Sequence, residues 1–271
     1  QNYVPFGDFA RAEPSGWRAD GAGLRNGASP GGEFAVALEG ELAVTGIYPA
    51  GRYTHALSER LNGTLVSPDL PVDQQFIHLQ VVGGKQAMLR MVPDFRHLSD
   101  FNRELKLDRP GWMTMGRQAN KYDDRVFFEL VTKLDNQRFP ERGAQQAKKN
   151  LEDQRSFFGI TRAYVSNRGE APREAVDHVQ GLLAGPPPSH LEEVAARFAS
   201  LAIRAMEAWS AGRATEHDVR WLDWLLRNGL LSNTTRASAR VAELVHQYRE
   251  TEKQLTPPRV VAGMADLDRG A

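Results

Sequence analysis

Seven side chains in the first half of the chain have the chemistry to recognise a ligand without reacting with it. An aromatic ring offers a flat apolar face to the C–H surface of a sugar, and planar polar groups pair with hydroxyl or sulfate groups. Such side chains lie on or beside short strand-like segments and in one loop. The candidate carbohydrate-binding residues are Tyr53, His55, His78, Arg90, Phe95, Arg96 and Glu129.

Three of these candidates have strand positions that predict an outward orientation. Residues 75–82 alternate between apolar and polar side chains, with His78 on the polar side. After a Gly-Gly turn the alternation resumes over residues 86–92, with Arg90 on the polar side. The pattern predicts a β-hairpin, and Glu129 has the outward register of a later strand. We therefore expect these side chains to share one solvent-facing surface, with Phe95 and Arg96 in a rim loop.

Each candidate also has an ordinary structural role open to it. A histidine or arginine on the polar face of a strand is more often a solvated surface residue than a ligand contact. Phe95 also fits a small satellite core. On the helical side, Trp209, Trp221 and Trp224 have spacings that favour burial in a helix-bundle core.

Catalytic and metal-binding patterns are missing from the sequence. It has no Gly-x-Ser-x-Gly, phosphate-binding loop, dinucleotide fingerprint, His-Glu-x-x-His or calcium-loop motif. The seven histidines lack metal-ligand spacing, and the absence of cysteine removes thiolate nucleophiles and thiolate ligands. We therefore expect no enzyme activity and no cofactor in this chain. Asp123-Asp124 and Asp135 fit two alternatives, a structural calcium site or a solvated turn.

Charge and hydropathy exclude two classes of partner. The 34 basic residues balance 34 acidic ones, so no broad positive field exists to hold nucleic acid. No apolar run approaches the roughly 18 residues that span a bilayer, which argues against membrane insertion. The hydrophobic content of 41% is ample for a packed core.

The chain divides by composition near residue 170. Residues 1–170 are rich in glycine and short strand patterns without a βαβ rhythm, which predicts a β-sandwich, with a polar surface loop over residues 137–154. Residues 171–256 predict a helical segment, and residues 257–271 a linker to a further domain. Other predicted strands are 33–38, 63–67, 112–115, 125–134 and 158–165. Predicted helices are 173–183, 189–210, 215–228 and 236–255.

Several short motifs occur in the order found in a known family of sandwiches. Phe6-Gly-Asp-Phe9 is followed by Gly16-Trp17, by the Gly-Thr-Leu-Val-Ser-Pro stretch at 63–68, by Trp112 and by Phe158-Gly-Ile160. The series resembles the galactose-binding-like jelly-roll modules appended to fructan-cleaving glycosidases. The resemblance implies a carbohydrate-binding-like jelly roll over residues 1–170. It also implies that Trp17 and Trp112 pack within the sandwich framework.

A second resemblance concerns the end of the chain. Residues 248–266 resemble the segment that leads into the C-terminal domain of planctomycete cytochrome-c-domain proteins with domains of unknown function. The resemblance implies that the chain is exported, either secreted or periplasmic, and that it has a role associated with polysaccharide breakdown. It also implies that flanking domains are its partners. The haem motif of that family is absent here. Because the chain starts at Gln1 and ends abruptly, we interpret it as a piece of a longer protein.

The sequence thus predicts a mainly β protein with an α-helical C-terminal segment: a jelly-roll β-sandwich plus about four helices. The predicted function is a non-catalytic carbohydrate-binding module for a polysaccharide or oligosaccharide, with sulfated polymers favoured by the arginines. The alternative is a structural spacer without a glycan ligand, in which the helices brace the flanking domains. A hydrolase or lyase would require convergent carboxylates or a histidine–tyrosine pair in a cleft.

Overall fold

The computed structural model describes residues 3–10, 14–94, 102–117, 125–136, 153–173 and 176–256. Short 3₁₀ turns lie at Ala22–Leu24 and Asp177–Val179. The strands are β1 Val4–Asp8, β2 Arg18–Asp20, β3 Glu33–Val36, β4 Val44–Tyr48, β5 Arg52–Tyr53, β6 Thr64–Val66, β7 Phe76–Gly84, β8 Met88–Pro93, β9 Asn102–Glu104, β10 Leu107–Gly116, β11 Val126–Val131 and β12 Phe157–Ser166. The α-helices are α1 Gln180–Leu183, α2 Leu191–Ser210, α3 Glu216–Arg227 and α4 Ala239–Gln254.

Two antiparallel sheets form the β-sandwich. The first sheet has the order β1-β12-β7-β10, with β5 paired to β12, and the second sheet has the order β2-β6-β11-β8-β9. Alternate residues of both sheets meet in one core, including Ile77, Leu79, Leu89, Met91 and Phe128. Each such buried side chain stabilises the fold by about 1.5–3 kcal/mol. The prediction of a mainly β sandwich followed by about four helices is confirmed.

The predicted hairpin of residues 75–82 and 86–92 is wrong. β7 pairs with β10 and β12 in the first sheet, whereas β8 pairs with β9 and β11 in the second. Lys85 and Gln86, at φ 51° and 67°, turn the chain from one sheet to the other. Alternation identifies the apolar side of a strand but not its partner strand. Because both strands face one core, His78 and Arg90 lie on opposite outer faces of the sandwich.

The helical segment shares its core with part of the sandwich half. β3 and β4 form a separate two-stranded sheet, and Ile47 of β4 packs with Ala205 of α2 and with Val219 and Leu222 of α3. Residues 33–48 therefore belong to the packing of the helices, although they come early in the chain. The helices pack directly on the β-structure and build a second core with it.

Local capping explains where α3 begins and ends. The Thr215 hydroxyl accepts a hydrogen bond from the Asp218 N–H, and the Asp218 carboxylate accepts one from the Thr215 N–H. Gly229 follows the helix at φ 70°. The predicted helix over residues 215–228 agrees with α3 to within one residue at each end. Helix α2 has His190 at its N-cap, and Ser189 bonds to Glu193.

Helix α3 is attached to the β-structure by two charged side chains. The Asp223 carboxylate accepts a hydrogen bond from the Ile47 N–H at 3.0 Å and one from Arg227 Nε at 2.7 Å. Arg227 also donates to the carbonyl oxygen of Asp108 on β10, at 2.9 Å. Gly46 permits this approach, since a Cβ there would lie 3.1 Å from Asp223 Oδ1 and closer still to the Arg227 guanidinium.

We predict that Gly46→Ala lowers the free energy of unfolding by about 1–3 kcal/mol, because the added methyl group pushes against the Asp223–Arg227 pair. Urea denaturation measures this change. Gly31→Ala is the control, because its Cβ would meet its nearest neighbours at an ordinary 3.6 Å. Equal losses in the two variants would contradict the expected role of the Gly46 contact.

Candidate ligand-binding cleft

The structure buries the predicted binding residues that it describes. Tyr53, His55, His78, Arg90 and Glu129 are each 8% exposed or less. The expectation that they form a solvent-facing surface is wrong, because the outer faces of both sheets are covered at these positions. Two further candidates, Phe95 and Arg96, lie outside the described residues.

Arg90 and Glu129 form a buried ion pair on the second sheet. They stand opposite each other in the register of β8 and β11. Arg90 Nε lies 3.1 Å from Glu129 Oε2, and Arg90 Nη1 donates to Asn136 Oδ1 at 2.8 Å. The guanidinium is thus held by the protein itself, and its position serves the sandwich rather than a surface site.

The remaining described candidates are held by internal contacts. His78 Nδ1 and Nε2 lie 2.9 Å and 2.8 Å from the hydroxyl oxygens of Thr114 and Ser166. The Tyr53 hydroxyl donates to the Pro49 carbonyl at 2.6 Å. The ring of His55 packs against Phe157, with ring centroids 4.5 Å apart. Burial lowers the pKa of His55 to about 4 and lowers the pKa of His78 as well.

A polar and aromatic cleft lies instead between the first sheet and helix α3. Its volume is about 600 Å³, within the range of sites that hold small ligands. Gln80, Ile47 and Pro49 line its floor. One wall is the start of β10, and the other is the face of α3 that carries Arg220, Asp223, Trp224 and Arg227, followed by the C-cap Asn228.

A β-bulge shapes the β10 wall. The register between β10 and β7 shifts between Leu107 and Gly111, and a bulge of this kind re-aims the side chains of the strand. Asp108, Arg109 and Pro110 from this shifted stretch line the cleft. Arg109 is exposed and has no ion pair with the residues that the structure describes. The bulge therefore supplies an accessible guanidinium to the mouth of the cleft.

Trp224 gives the opposite wall an exposed aromatic surface. Its ring stacks on Trp221 with centroids 5.2 Å apart and planes 6° from parallel. Trp221 belongs to the second core, where Phe198 contacts it at 4.8 Å, whereas Trp224 is 38% exposed. The expectation of a core position is confirmed for Trp221 and wrong for Trp224 and for Trp209, which is 37% exposed. The buried ring fixes the exposed one and presents it rigidly.

Ion pairs hold the charged groups around the cleft. Glu216 pairs with Arg220 at 2.9 Å and also with Arg162 of β12. Arg227 pairs with Asp223 at 2.7 Å and with Asp108 at 3.2 Å. These contacts join α3 to two strands of the first sheet. They pre-position the cleft, which reduces the ordering that a ligand would have to impose.

Another aromatic pair lies beside the cleft on the outer face of the first sheet. Trp112 stands opposite Gln80, which stands opposite Arg162, so the three form a row across β10, β7 and β12. The rings of Trp112 and Tyr164 are 5.7 Å apart and both are half-buried. The core contains Trp17 as expected, whereas Trp112 packs against Tyr164 on the outer face of the sheet rather than in the core.

No group of three histidine, aspartate or glutamate side chains suited to a metal ion occurs among the described residues. Asp135 accepts a hydrogen bond from Asn62 Nδ2 at 2.8 Å, and burial raises the pKa of its carboxyl group. Asp123 and Asp124 lie outside the described residues, so calcium at these aspartates stays a prediction. No described helix is long and apolar enough to cross a membrane.

Comparison with known proteins gives a remote structural likeness. No family model and no curated protein match the chain. The K1 and K3 cleaved adhesin domains of Lys-gingipain from Porphyromonas gingivalis W83 match 62% and 60% of it, at 8% and 9% identity and TM-scores of 0.33 and 0.31. They are covered over 100% and 99% of their own lengths.

A third solved structure is TmCBM61 in complex with β-1,4-galactotriose, which covers 62% of this chain and 99% of its own at 16% identity and a TM-score of 0.30. At these TM-scores the likeness carries no inference about a ligand.

We predict that Glu129→Ala lowers the free energy of unfolding by about 3–5 kcal/mol, because it leaves the Arg90 guanidinium buried without its carboxylate. Urea denaturation at neutral pH gives the value. Asp69→Ala is the matched control: it removes the carboxylate partner of Arg125 in an exposed pair, which is worth less than about 1 kcal/mol. Similar losses in both variants would show that burial adds nothing to the cost of breaking the Arg90–Glu129 pair.

We further predict a pH dependence from His55. In the unfolded chain its pKa is near 6.5, and burial lowers the folded pKa to about 4, so the unfolded state binds the proton first. Stability should therefore fall as the pH drops from 6.5 to 4, by about 3 kcal/mol from this residue. Unfolding curves at pH 7.5 and 4.5 measure the change. In His55→Phe, stability should fall less between pH 7.5 and pH 4.5 than in the wild type. An equal fall in the two proteins would contradict the assignment to His55.

Proposed function

We propose that this chain is a non-catalytic glycan-binding module and that the cleft beside α3 is its binding site. The observation that supports this most is the exposed face of Trp224, fixed by Trp221, in a cleft that also carries planar polar side chains. A sugar ring has an apolar C–H face and a polar edge, and this combination matches both.

The polar lining suits the hydroxyl groups of a sugar. Gln80 lies on the floor, with its side-chain oxygen accepting from the Thr161 hydroxyl at 2.7 Å, which fixes its amide. Asn228 on the opposite wall donates from Nδ2 to the Trp224 carbonyl at 2.7 Å. This hydrogen bond fixes the direction of the Asn228 side-chain oxygen. The Asn228 amide, held in this way, makes directional contacts at little cost in side-chain order, whereas Gln80 is only 2% exposed and shapes the floor.

Arg109 favours a sulfated or otherwise anionic glycan. Its guanidinium is exposed at the cleft wall, and guanidinium groups bind sulfate through two parallel hydrogen bonds. Arg220 and Arg227 are each engaged by carboxylates, which leaves Arg109 as the charged group best placed for the ligand. The chain would be exported if its ligand is an extracellular polysaccharide.

The geometry of the cleft carboxylates supports binding rather than hydrolysis. Asp108 and Asp223 both contact the guanidinium of Arg227. A glycosidase needs one carboxyl group as a proton donor and a second as base or nucleophile. Two carboxylates committed to one arginine serve to fix α3 on the sheet.

The structural spacer is the second candidate function, because further contacts tie the helices to the sandwich. Arg249 of α4 donates to the carbonyl oxygens of Ala37 and Leu42, at 2.8 Å and 3.1 Å. Glu252 is buried and bonds to Arg60 Nε at 3.0 Å. A helical segment held at several points would keep flanking domains at a fixed separation.

We predict that the full chain binds a glycan on an array of sulfated fucans, carrageenans, their desulfated forms and plant polysaccharides. Calorimetry on the hit should show binding at least ten-fold weaker for Trp224→Ala, because the stacking surface is lost. The effect of sulfate is read from the paired desulfated form and from the weakening of binding by salt.

Trp209→Ala is the matched control, since Trp209 is 37% exposed, close to the 38% of Trp224, but lies outside the cleft. It should keep full affinity. Binding to no glycan would favour the spacer, and an equal loss in both variants would place the site elsewhere.

A further inference from the structure

A second cavity lies on the other side of α3 from the cleft. It has a volume of about 720 Å³ and is enclosed by α2, α3, the first half of α4 and the β3–β4 sheet. Its polarity is the opposite of the cleft's, because its walls are almost entirely aliphatic and aromatic. Nothing in the glycan-binding proposal uses this cavity.

The cavity is concave, with a buried floor and an accessible rim. Ile47, Leu222 and Val245 on the floor are 7% exposed or less. Phe34 and Leu244 at the rim are 41% and 47% exposed. A flat hydrophobic surface would expose its centre and rim alike, so this gradient identifies a pocket that a molecule can enter.

The polar groups of the pocket are used by the fold. Asn233 Oδ1 accepts from the Val44 N–H at 3.0 Å, and its Nδ2 donates to the Val44 carbonyl at 2.9 Å. Trp209 Nε1 donates to the Gly32 carbonyl at 2.9 Å. None of the described residues that line the pocket is charged, although 25% of the whole chain is. A charged ligand would therefore lose its hydration without gaining a partner.

We propose that this pocket binds a small, uncharged, hydrophobic molecule, aliphatic or aromatic. The volume lies within the roughly 300–1,000 Å³ of small-molecule sites. Its volume and a lining without charged residues together favour a small, uncharged molecule.

The neutral dye N-phenyl-1-naphthylamine tests the proposal through its fluorescence. Titration into the full chain should give saturable binding of one dye per chain. Decanol should displace the dye at a concentration at least ten-fold lower than decanoate, because the carboxylate must be desolvated to enter. Absence of saturable dye binding, or equal displacement by the two competitors, overturns the proposal.

Variants locate the dye. Ala237 is exposed and lines the pocket, so Ala237→Trp should fill its mouth and weaken dye binding at least ten-fold. Leu244→Arg, also at the exposed rim, should do the same by adding a charge. Ala196→Trp is the control, because Ala196 is exposed on α2 outside the pocket lining. Unfolding curves verify that each variant is folded, and equal affinity in Ala237→Trp and Ala196→Trp overturns the proposal.

Two further readouts distinguish dye binding in this pocket from dye binding in the cleft and from self-association of the chain. Trp224→Ala should keep dye affinity whatever its effect on glycans, since Trp224 is not among the pocket residues. Dye binding that depends on Trp224 therefore counts against the pocket. Sedimentation velocity detects self-association: a dimer of the wild-type chain that Ala237→Trp dissociates would mean that a second copy fills the pocket, and the small-molecule proposal would fail.

Discussion

The structure depends on the way Asp223 fixes helix α3 to the β3–β4 sheet. This carboxylate accepts from the Ile47 N–H and from Arg227, which in turn reaches Asp108 on β10. One residue of a helix thus satisfies a strand N–H and orients the arginine that spans to the large sheet. The absence of a side chain at Gly46 lets the helix come this close. This attachment, together with the core shared by Ile47, Val219 and Leu222, sets the second wall of the cleft and of the hydrophobic pocket.

Helix α3 separates two environments of opposite character. Arg220, Asp223 and Trp224 face the cleft, whereas Leu222 and Leu226 face the pocket. Ile47 lines both cavities at the point where the helix meets β4. An amphipathic helix normally has one buried and one solvated side. Here the polar side is also enclosed, because the bulged start of β10 lies across from it.

Local patterns predicted elements well and their assembly poorly. The Thr215 capping box and the strand alternation are sequence-local, so α3 and β7 were found close to their observed bounds. The partner of β7, however, lies more than twenty residues away, and alternation is the same for either partner. His78 and Arg90 have the outward register that the pattern indicates, yet both are buried. Their burial depends on which other parts of the chain pack over the outer face of the sheet, and a local pattern carries no information about that packing. Trp224 was missed since its spacing from Trp221 fits a core position as well as a surface one.

The brace and the proposed binding site are built by the same contacts. Arg162 joins Glu216, and Arg227 joins Asp108, so each ion pair that secures α3 also lines or borders the cleft. A pure spacer requires only that the helix be held. It does not require that Trp224 stay 38% exposed between the attachment points, where burial would stabilise the fold. The exposed Trp224, supported from behind by Trp221 and set among the polar side chains of the cleft, is the feature that favours the proposed ligand site over a spacer.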